Sequence, residues 1–261
     1  MFNILRARWH QGYRTIRYPD GPPPELPARF VGQPTVDSSK CSTDCHRCAE
    51  ACPTQAINIG GQRPSLRLDT GRCLFCRQCQ DVCPEGAIAF SREFRLAASR
   101  REALIVSDHS PEPNALIDDS LYRILGRSLK LRQVSAGGCN ACEADTNVLN
   151  TVGWDLGRFG LQFVASPRHA DGLLVTGPVT KNMRLALEKT YRAVPSPKIV
   201  IAVGACAISG GVYRDHAETE NGVGSLLPVD VFVPGCPPHP LTILHALLAV
   251  VRRLPTAPRA T

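Results

Sequence analysis

Cys73-Leu-Phe-Cys76-Arg-Gln-Cys79-Gln-Asp-Val-Cys83-Pro84 decides how the first half of the chain is read. In the C-x2-C-x2-C-x3-C-P spacing, three cysteines of one short loop close on one iron–sulfur cluster, and the fourth reaches a neighbouring cluster. The spacings are short enough for one loop to aim three sulfurs at adjacent irons, and the proline turns the chain away. Upstream, Cys41-Ser-Thr-Asp-Cys45-His-Arg-Cys48-Ala-Glu-Ala-Cys52-Pro53 repeats the form with one additional residue between its first two cysteines. Crossed ligation then predicts one cluster on Cys41, Cys45, Cys48 and Cys83, and a second on Cys52, Cys73, Cys76 and Cys79. The tails Thr54-Gln-Ala-Ile57 and Glu85-Gly-Ala-Ile88 also match, so the region is an internal repeat. Zinc is the competing metal, but zinc sites pair C-x2-4-C units across a long spacer. His46 lies between ligands and reads as a solvated neighbour. Arg47, Arg72 and Arg77 read either as tuning charges or as plain surface.

The second half has a different texture. Gly172-Leu-Leu-Val-Thr-Gly177, Lys198-Ile-Val-Ile-Ala-Val-Gly204 and Val229-Asp-Val-Phe-Val-Pro-Gly235 each predict a buried strand ending in glycine. Good helix formers over Thr180 to Tyr191 separate the first two, and strand, helix, strand at this spacing implies a parallel sheet with helices on its faces. Leu241, Leu244, Leu248 and Val251 form a core stripe on a last helix, with Arg252 and Arg253 at its cation-favouring end.

Four cysteines remain: Cys139 and Cys142 in Gly-Gly-Cys-Asn-Ala-Cys-Glu143, Cys206 in Gly-Ala-Cys-Ala207, and Cys236 in Pro-Gly-Cys-Pro-Pro238. Cys206 and Cys236 each follow a predicted strand, and loops distant in sequence converge at the carboxyl edge of an open α/β sheet. A third cluster on these four is one reading. Four unrelated cysteines packing as small hydrophobes is the other. Glu143 reads as a proton-handling group or quinone contact, or equally as a cap or interface residue. Arg168 and His169 read as partner contacts or loop surface. No nucleophile–base pair and no phosphate-binding loop is found, so no catalytic residue is assigned.

With 261 residues and 43% hydrophobic content the chain suffices for two domains. The expected division is 1–98 for an N-terminal docking segment and a two-cluster domain, 99–120 for a linker, 121–254 for the second domain and 255–261 for a tail. The start lacks the apolar core of a secretory signal, so the thiols are expected to be reduced and available to metal. The net charge is +7, yet aromatics are only 6%, which argues against a nucleic-acid surface. Residues 1 to 18 carry Arg6, Arg8, Arg14 and Arg17 without an acid, while Phe2, Leu5, Trp9, Tyr13 and Ile16 recur at helical spacing. Docking at a membrane surface, covering of the chain's own domain, and a transit peptide are the alternatives.

The resemblances are now specific. Thr15-Ile-Arg-Tyr-Pro19, Phe30-Val-Gly-Gln-Pro34 and the two cysteine blocks resemble the two-cluster ferredoxin subunit of respiratory complex I and formate hydrogenlyase. The stretch from Leu121 to Val251 resembles the family joining nickel–iron hydrogenase small subunits with the 20 kDa subunit of complex I. Ala165-Ser-Pro-Arg-His-Ala-Asp171, Val175-Thr-Gly-Pro-Val-Thr180 and Gly204-Ala-Cys-Ala-Ile-Ser-Gly-Gly211 carry it together with the cysteine motifs. The resemblance implies an α+β two-cluster ferredoxin domain followed by an α/β flavodoxin-like domain with a parallel sheet, and three 4Fe-4S clusters. It implies a large catalytic subunit and membrane-embedded subunits as partners, and a peripheral place on the inner, cytoplasmic face of the cell membrane. Complex I members have adjacent cysteines at the first ligand position, whereas hydrogenase small subunits have C-x2-C, as here. The expected role is therefore an electron relay in a formate-hydrogenlyase-like hydrogenase. A complex-I-like quinone oxidoreductase is the alternative, and a cluster-bearing redox sensor or binding protein the alternative of another class.

Overall fold

The computed structural model describes residues 2–42, 44–60, 65–108, 128–251 and 254. Helix α1, Phe2–Gln11, is shorter than the apolar spacing over 1–18 predicts. It stops where Gly12 takes φ +61° and its carbonyl accepts from Arg8 Nη1 at 2.8 Å. Phe2, Leu5 and Trp9 stand 88%, 62% and 87% exposed, so the helix does not cover its own domain. The chain beyond it crosses to the far module, where the Ile16 N–H donates to Gly153 O at 2.8 Å.

The cysteine-dense region folds as two antiparallel sheets around short helices. Strand β1, Pro34–Val36, pairs with β4, Ile88–Phe90. Strand β3, Ser65–Asp69, lies between β2, Ile57–Gly60, and β5, Ile105–Val106. One-turn helices α2, Arg47–Glu50, and α3, Gln78–Asp81, follow the leading cysteines of each block. The core is Ile57, Leu66, Leu68, Ala87 and Ile88 packed with Cys48, Cys73 and Cys79. Cysteines thus do the work of core residues in a module with few large hydrophobes. Strand β5 and the 3-10 turn Arg101–Leu104 fall within the stretch expected as linker, whose residues 109–120, with Arg252, Arg253 and the tail, lie outside the described residues.

Five parallel strands make the second sheet: β6 Leu129–Ser135, β7 Leu161–Phe163, β8 Gly172–Thr176, β9 Ile199–Val203 and β10 Val231–Val233. Their order, β10-β9-β8-β6-β7, is the flavodoxin-like order, with its reversal between β6 and β8. Every residue of β8, β9 and β10 is buried, as a parallel sheet covered on both faces requires. Ile199, Ile201 and Val203 face one layer, containing helix α7, Pro240–Val250. Val200 and Ala202 face the other, containing Leu187 of helix α5, Lys181–Ala193. Helices α4, Ala141–Val148, and α6, Ala205–Ser209, follow β6 and β9. The chain leaving the first module returns along β10, where Ala98 and Phe232 exchange hydrogen bonds of 3.0 and 2.8 Å and cap that sheet edge.

Candidate functional site

Local backbone conformation aims the first eight sulfurs. Phe75 and Arg77 take φ +55° and +65°, folding the loop so that Cys73, Cys76 and Cys79 converge. The Phe75 N–H donates to Cys73 Sγ at 3.3 Å. The cysteine before each proline is held alike in both repeats: Ala56 N–H to Cys52 Sγ and Ala87 N–H to Cys83 Sγ, each 3.2 Å. Gln55 takes φ +51° where its counterpart Gly86 takes +61°, so the repeat is one of backbone as well as spacing.

Electrostatics group the sulfurs. Burial raises the Cys48 thiol to about 11, and Cys41, Cys83 and Cys45 push the same way. Burial raises Cys73 to about 12, reinforced by Cys79, Cys52 and Cys76. These neighbours are the ones that the crossed grouping read from the spacing would bring together. Such thiols keep their protons at neutral pH until metal displaces them, so loading releases protons.

The last four cysteines come from three loops at the carboxyl edge of the parallel sheet. Cys139 and Cys142 follow β6, with Asn140 between them at φ +71° opening α4. Cys206 lies in α6 after β9, and Cys236 follows β10. Burial raises Cys142, then Cys206, Glu143, Cys236 and Cys139 add their charges, and Cys206 is pushed up to about 11. Gly204, at φ +92°, is required here: a Cβ would lie 2.5 Å from Cys142 Sγ. Among the described residues no three His, Cys, Asp or Glu side chains are drawn tightly enough together for a single metal ion. A cluster needs a wider spread, since its four cysteines bind four different irons. Soft thiolates, three quartets and backbone N–H donors to sulfur all fit iron–sulfur clusters.

Sulfurs of different groups lie near enough to act on one another. Cys79 of the second is raised by burial and, among its neighbours, by Cys48 of the first. Cys236 of the third is raised by burial, then by Cys139, then by Cys76 of the second. A cavity of about 220 Å³ at this junction is lined by Leu74 and Phe75 on one side and Pro237, Pro238 and His239 on the other.

Glu143, beside Cys142, is buried and accepts from Ser135 Oγ and Thr176 Oγ1, both at 2.6 Å. Ser135 and Thr176 end β6 and β8, so Glu143 sits at the reversal point of the sheet. It lines an open cleft of about 510 Å³ with Arg132, Asn140 and Asn147. Arg168 and His169 are exposed in the 3-10 turn between β7 and β8. His46 is exposed. Sequence reading passed over one polar pair: Tyr18 Oη lies 2.5 Å from His245 Nδ1, fastening the N-terminal connector to α7.

Two cysteine repeats joined to an open parallel sheet with a third quartet on its carboxyl edge define an iron–sulfur electron-transfer subunit of an oxidoreductase complex. A model of the 4Fe-4S dicluster domain matches residues 25–87, and one of the NADH ubiquinone oxidoreductase 20 kDa subunit matches residues 139–250. A probable membrane-bound hydrogenase subunit of Pyrococcus furiosus is 44% identical over 134 residues, 51% of this chain and 80% of that one. Formate hydrogenlyase subunit 7 of Escherichia coli is 42% identical over 134 residues, 51% of this chain and 52% of that one. An NADH-quinone oxidoreductase subunit of Roseiflexus sp. is 42% identical over 118 residues, 45% of this chain and 44% of that one. The chain thus spans about half the length of these last two. It belongs to the family of the NADH ubiquinone oxidoreductase 20 kDa subunit and its hydrogenase relatives, with a dicluster domain placed before it.

Proposed function

We propose that this chain is the electron relay of a membrane-associated nickel–iron hydrogenase complex of the formate hydrogenlyase kind. It holds three 4Fe-4S clusters: on Cys41, Cys45, Cys48 and Cys83; on Cys52, Cys73, Cys76 and Cys79; and on Cys139, Cys142, Cys206 and Cys236. The serial order of the quartets carries the reading, because neighbouring sulfurs link the first to the second and the second to the third. Bound clusters supply one-electron carriers. The chain's own residues fix their order, shield Cys48, Cys73 and Cys79 from water, and leave Cys139 and Cys236 exposed toward a partner. The large catalytic subunit docks on that edge, over the Glu143 cleft, and the exposed Arg168 and His169 offer it further contacts. The purified complex is expected to contain nickel, about twelve iron per copy of this chain by the four-cysteine rule, and hydrogen-oxidising activity with an artificial acceptor. A nickel-free complex that reduces quinone instead would move the chain to the complex I branch. That second reading is favoured by the NADH-quinone relatives; the Cys139-Asn-Ala-Cys142 spacing favours the first.

The subunit lies peripherally on the inner face of the cell membrane. Among the described residues no helix is long and apolar enough to cross a membrane. The exposed stripe Phe2, Leu5 and Trp9, flanked by Arg6 and Arg8, suits an interface with the membrane subunits or lipid. Removing residues 1–12 is expected to release the subunit from membranes with its iron content unchanged, and undiminished membrane association would refute this docking role.

A further inference from the structure

The ligand loops of the second and third quartets touch directly. Gly71 stands two residues before Cys73, and Ser209 ends α6 three residues after Cys206. The buried Ser209 hydroxyl donates to Gly71 O at 2.9 Å, sharing its proton with Ala205 O at 3.1 Å. A Cβ on Gly71 would lie 2.9 Å from each of Arg101 Cζ, Leu104 Cδ1 and Ile208 Cγ2. Its φ is not positive, so a side chain here would meet crowding and no backbone strain: Ile208 of α6 on one side, Arg101 and Leu104 of the 3-10 turn on the other.

The surroundings make this contact rigid on the first-module side. Asp69 Oδ1 accepts the Gly71 N–H at 2.9 Å. The same carboxylate is gripped by both terminal nitrogens of Arg101, at 2.8 and 2.5 Å. Thr70 binds Leu104 O through its N–H at 2.9 Å and its hydroxyl at 2.8 Å. Leu104 is buried in the second module's core beside Ile208. On the other module, Ser209 is fixed by the one-turn helix that carries Cys206.

We infer that Gly71 and Ser209 are positioning residues for electron transfer: their packed, hydrogen-bonded contact sets the separation of the second and third clusters. The inference rests on the three-cluster reading above. The modules are also tied at Ala98–Phe232 and Tyr18–His245, but neither of those contacts adjoins a cysteine loop; on the Cys76–Cys236 side a cavity of about 220 Å³ leaves the packing looser.

The test uses the whole complex carrying Gly71→Ala, Gly71→Val or Ser209→Ala. Iron content and the EPR splitting between adjacent reduced clusters are measured together, because dipolar splitting falls steeply with separation. The expected result is full iron, with a splitting smaller in Gly71→Ala, smaller again in Gly71→Val, and reduced in Ser209→Ala, where no bulk is added. Electron transfer between the two clusters after rapid mixing should slow in the same order. Full iron with an unchanged splitting in Gly71→Val overturns the inference. If Gly71→Val loses iron, Ser209→Ala decides alone: a reduced splitting supports the joint and an unchanged one overturns it. Failure of the three-cluster reading looks different, as an eight-iron product from the unsubstituted complex.

Discussion

The two halves of this molecule bring cysteines together by opposite means. The first eight lie within residues 41–83, and tight turns with backbone N–H groups four residues on aim the sulfurs. The last four are spread from Cys139 to Cys236, and only the order of a five-stranded parallel sheet puts them on one edge. A locally built site depends on its loop, whereas a topologically built site depends on the whole domain's fold.

The largest effect that tests this contrast is loss of a cluster. Cys236→Ala removes one ligand of the third site, and iron per chain is expected to fall from about twelve to about eight. The first module's EPR signals should persist, since none of its ligands or core residues comes from the β10 loop. Loss of all iron would show that the locally built sites depend on the sheet after all.

Glycine substitutions probe the same difference at a finer scale. Gly204→Ala forces a side chain onto φ +92° and a Cβ to 2.5 Å from Cys142 Sγ. Strain and overpacking together cost about 3 kcal/mol or more. Gly86 in the first module also has positive φ, yet a Cβ there would meet nothing within 4 Å. Gly86→Ala should cost only the left-handed backbone penalty, about 1 kcal/mol, and Gln55 already occupies the equivalent turn. Thermal unfolding and iron retention of the two variants check this; equal losses would erase the distinction between packed and open ligand turns.

The same contrast explains what could be read from the residues alone. Spacing exposed the cysteine repeat and its crossed grouping because the relevant physics is local. Strands β8, β9 and β10 were visible as apolar runs closed by glycine, and α5 and α7 as helix formers between and after them. Strand β6, between β8 and β7, gives no strand signal because Lys130, Arg132 and Gln133 interrupt its apolar residues. The short β7 gave no better signal. Residues 99–106 read as linker because two-residue pairing of β5 to Asp69 and Leu68 leaves no periodicity. Nothing local marked the inter-module joint, since Gly71 and Ser209 are ordinary residues until the fold places 138 positions of sequence within one hydrogen bond.

A more local effect concerns the strap that ties the N-terminal connector to the topologically built half. Tyr18 packs edge-on against Phe94, its carbonyl accepts from Arg158 at 2.9 Å, and its hydroxyl meets His245 on α7. Burial raises the Tyr18 hydroxyl to about 12, so it stays protonated and donates to a neutral His245. Burial also lowers His245 to about 4 from its ordinary 6.5, with Arg95 lowering it further and Glu93 opposing. Because the folded value lies below the unfolded one, the unfolded chain takes up the proton first. This stability is therefore complete above about pH 6.5 and is lost progressively as pH falls toward about 4. Between about pH 7.5 and pH 5 the loss from this one group amounts to about 2 kcal/mol. It should appear as faster amide exchange in α7, after correction for intrinsic rates, while the first module's core strands β2 and β3 keep their protection. Tyr18→Phe removes a single buried hydrogen bond and should cost about 1 kcal/mol, again in α7 and without loss of iron. If acid or Tyr18→Phe loosens β2 and β3 equally, the strap secures both modules and the division between a local half and a topological half does not extend to stability.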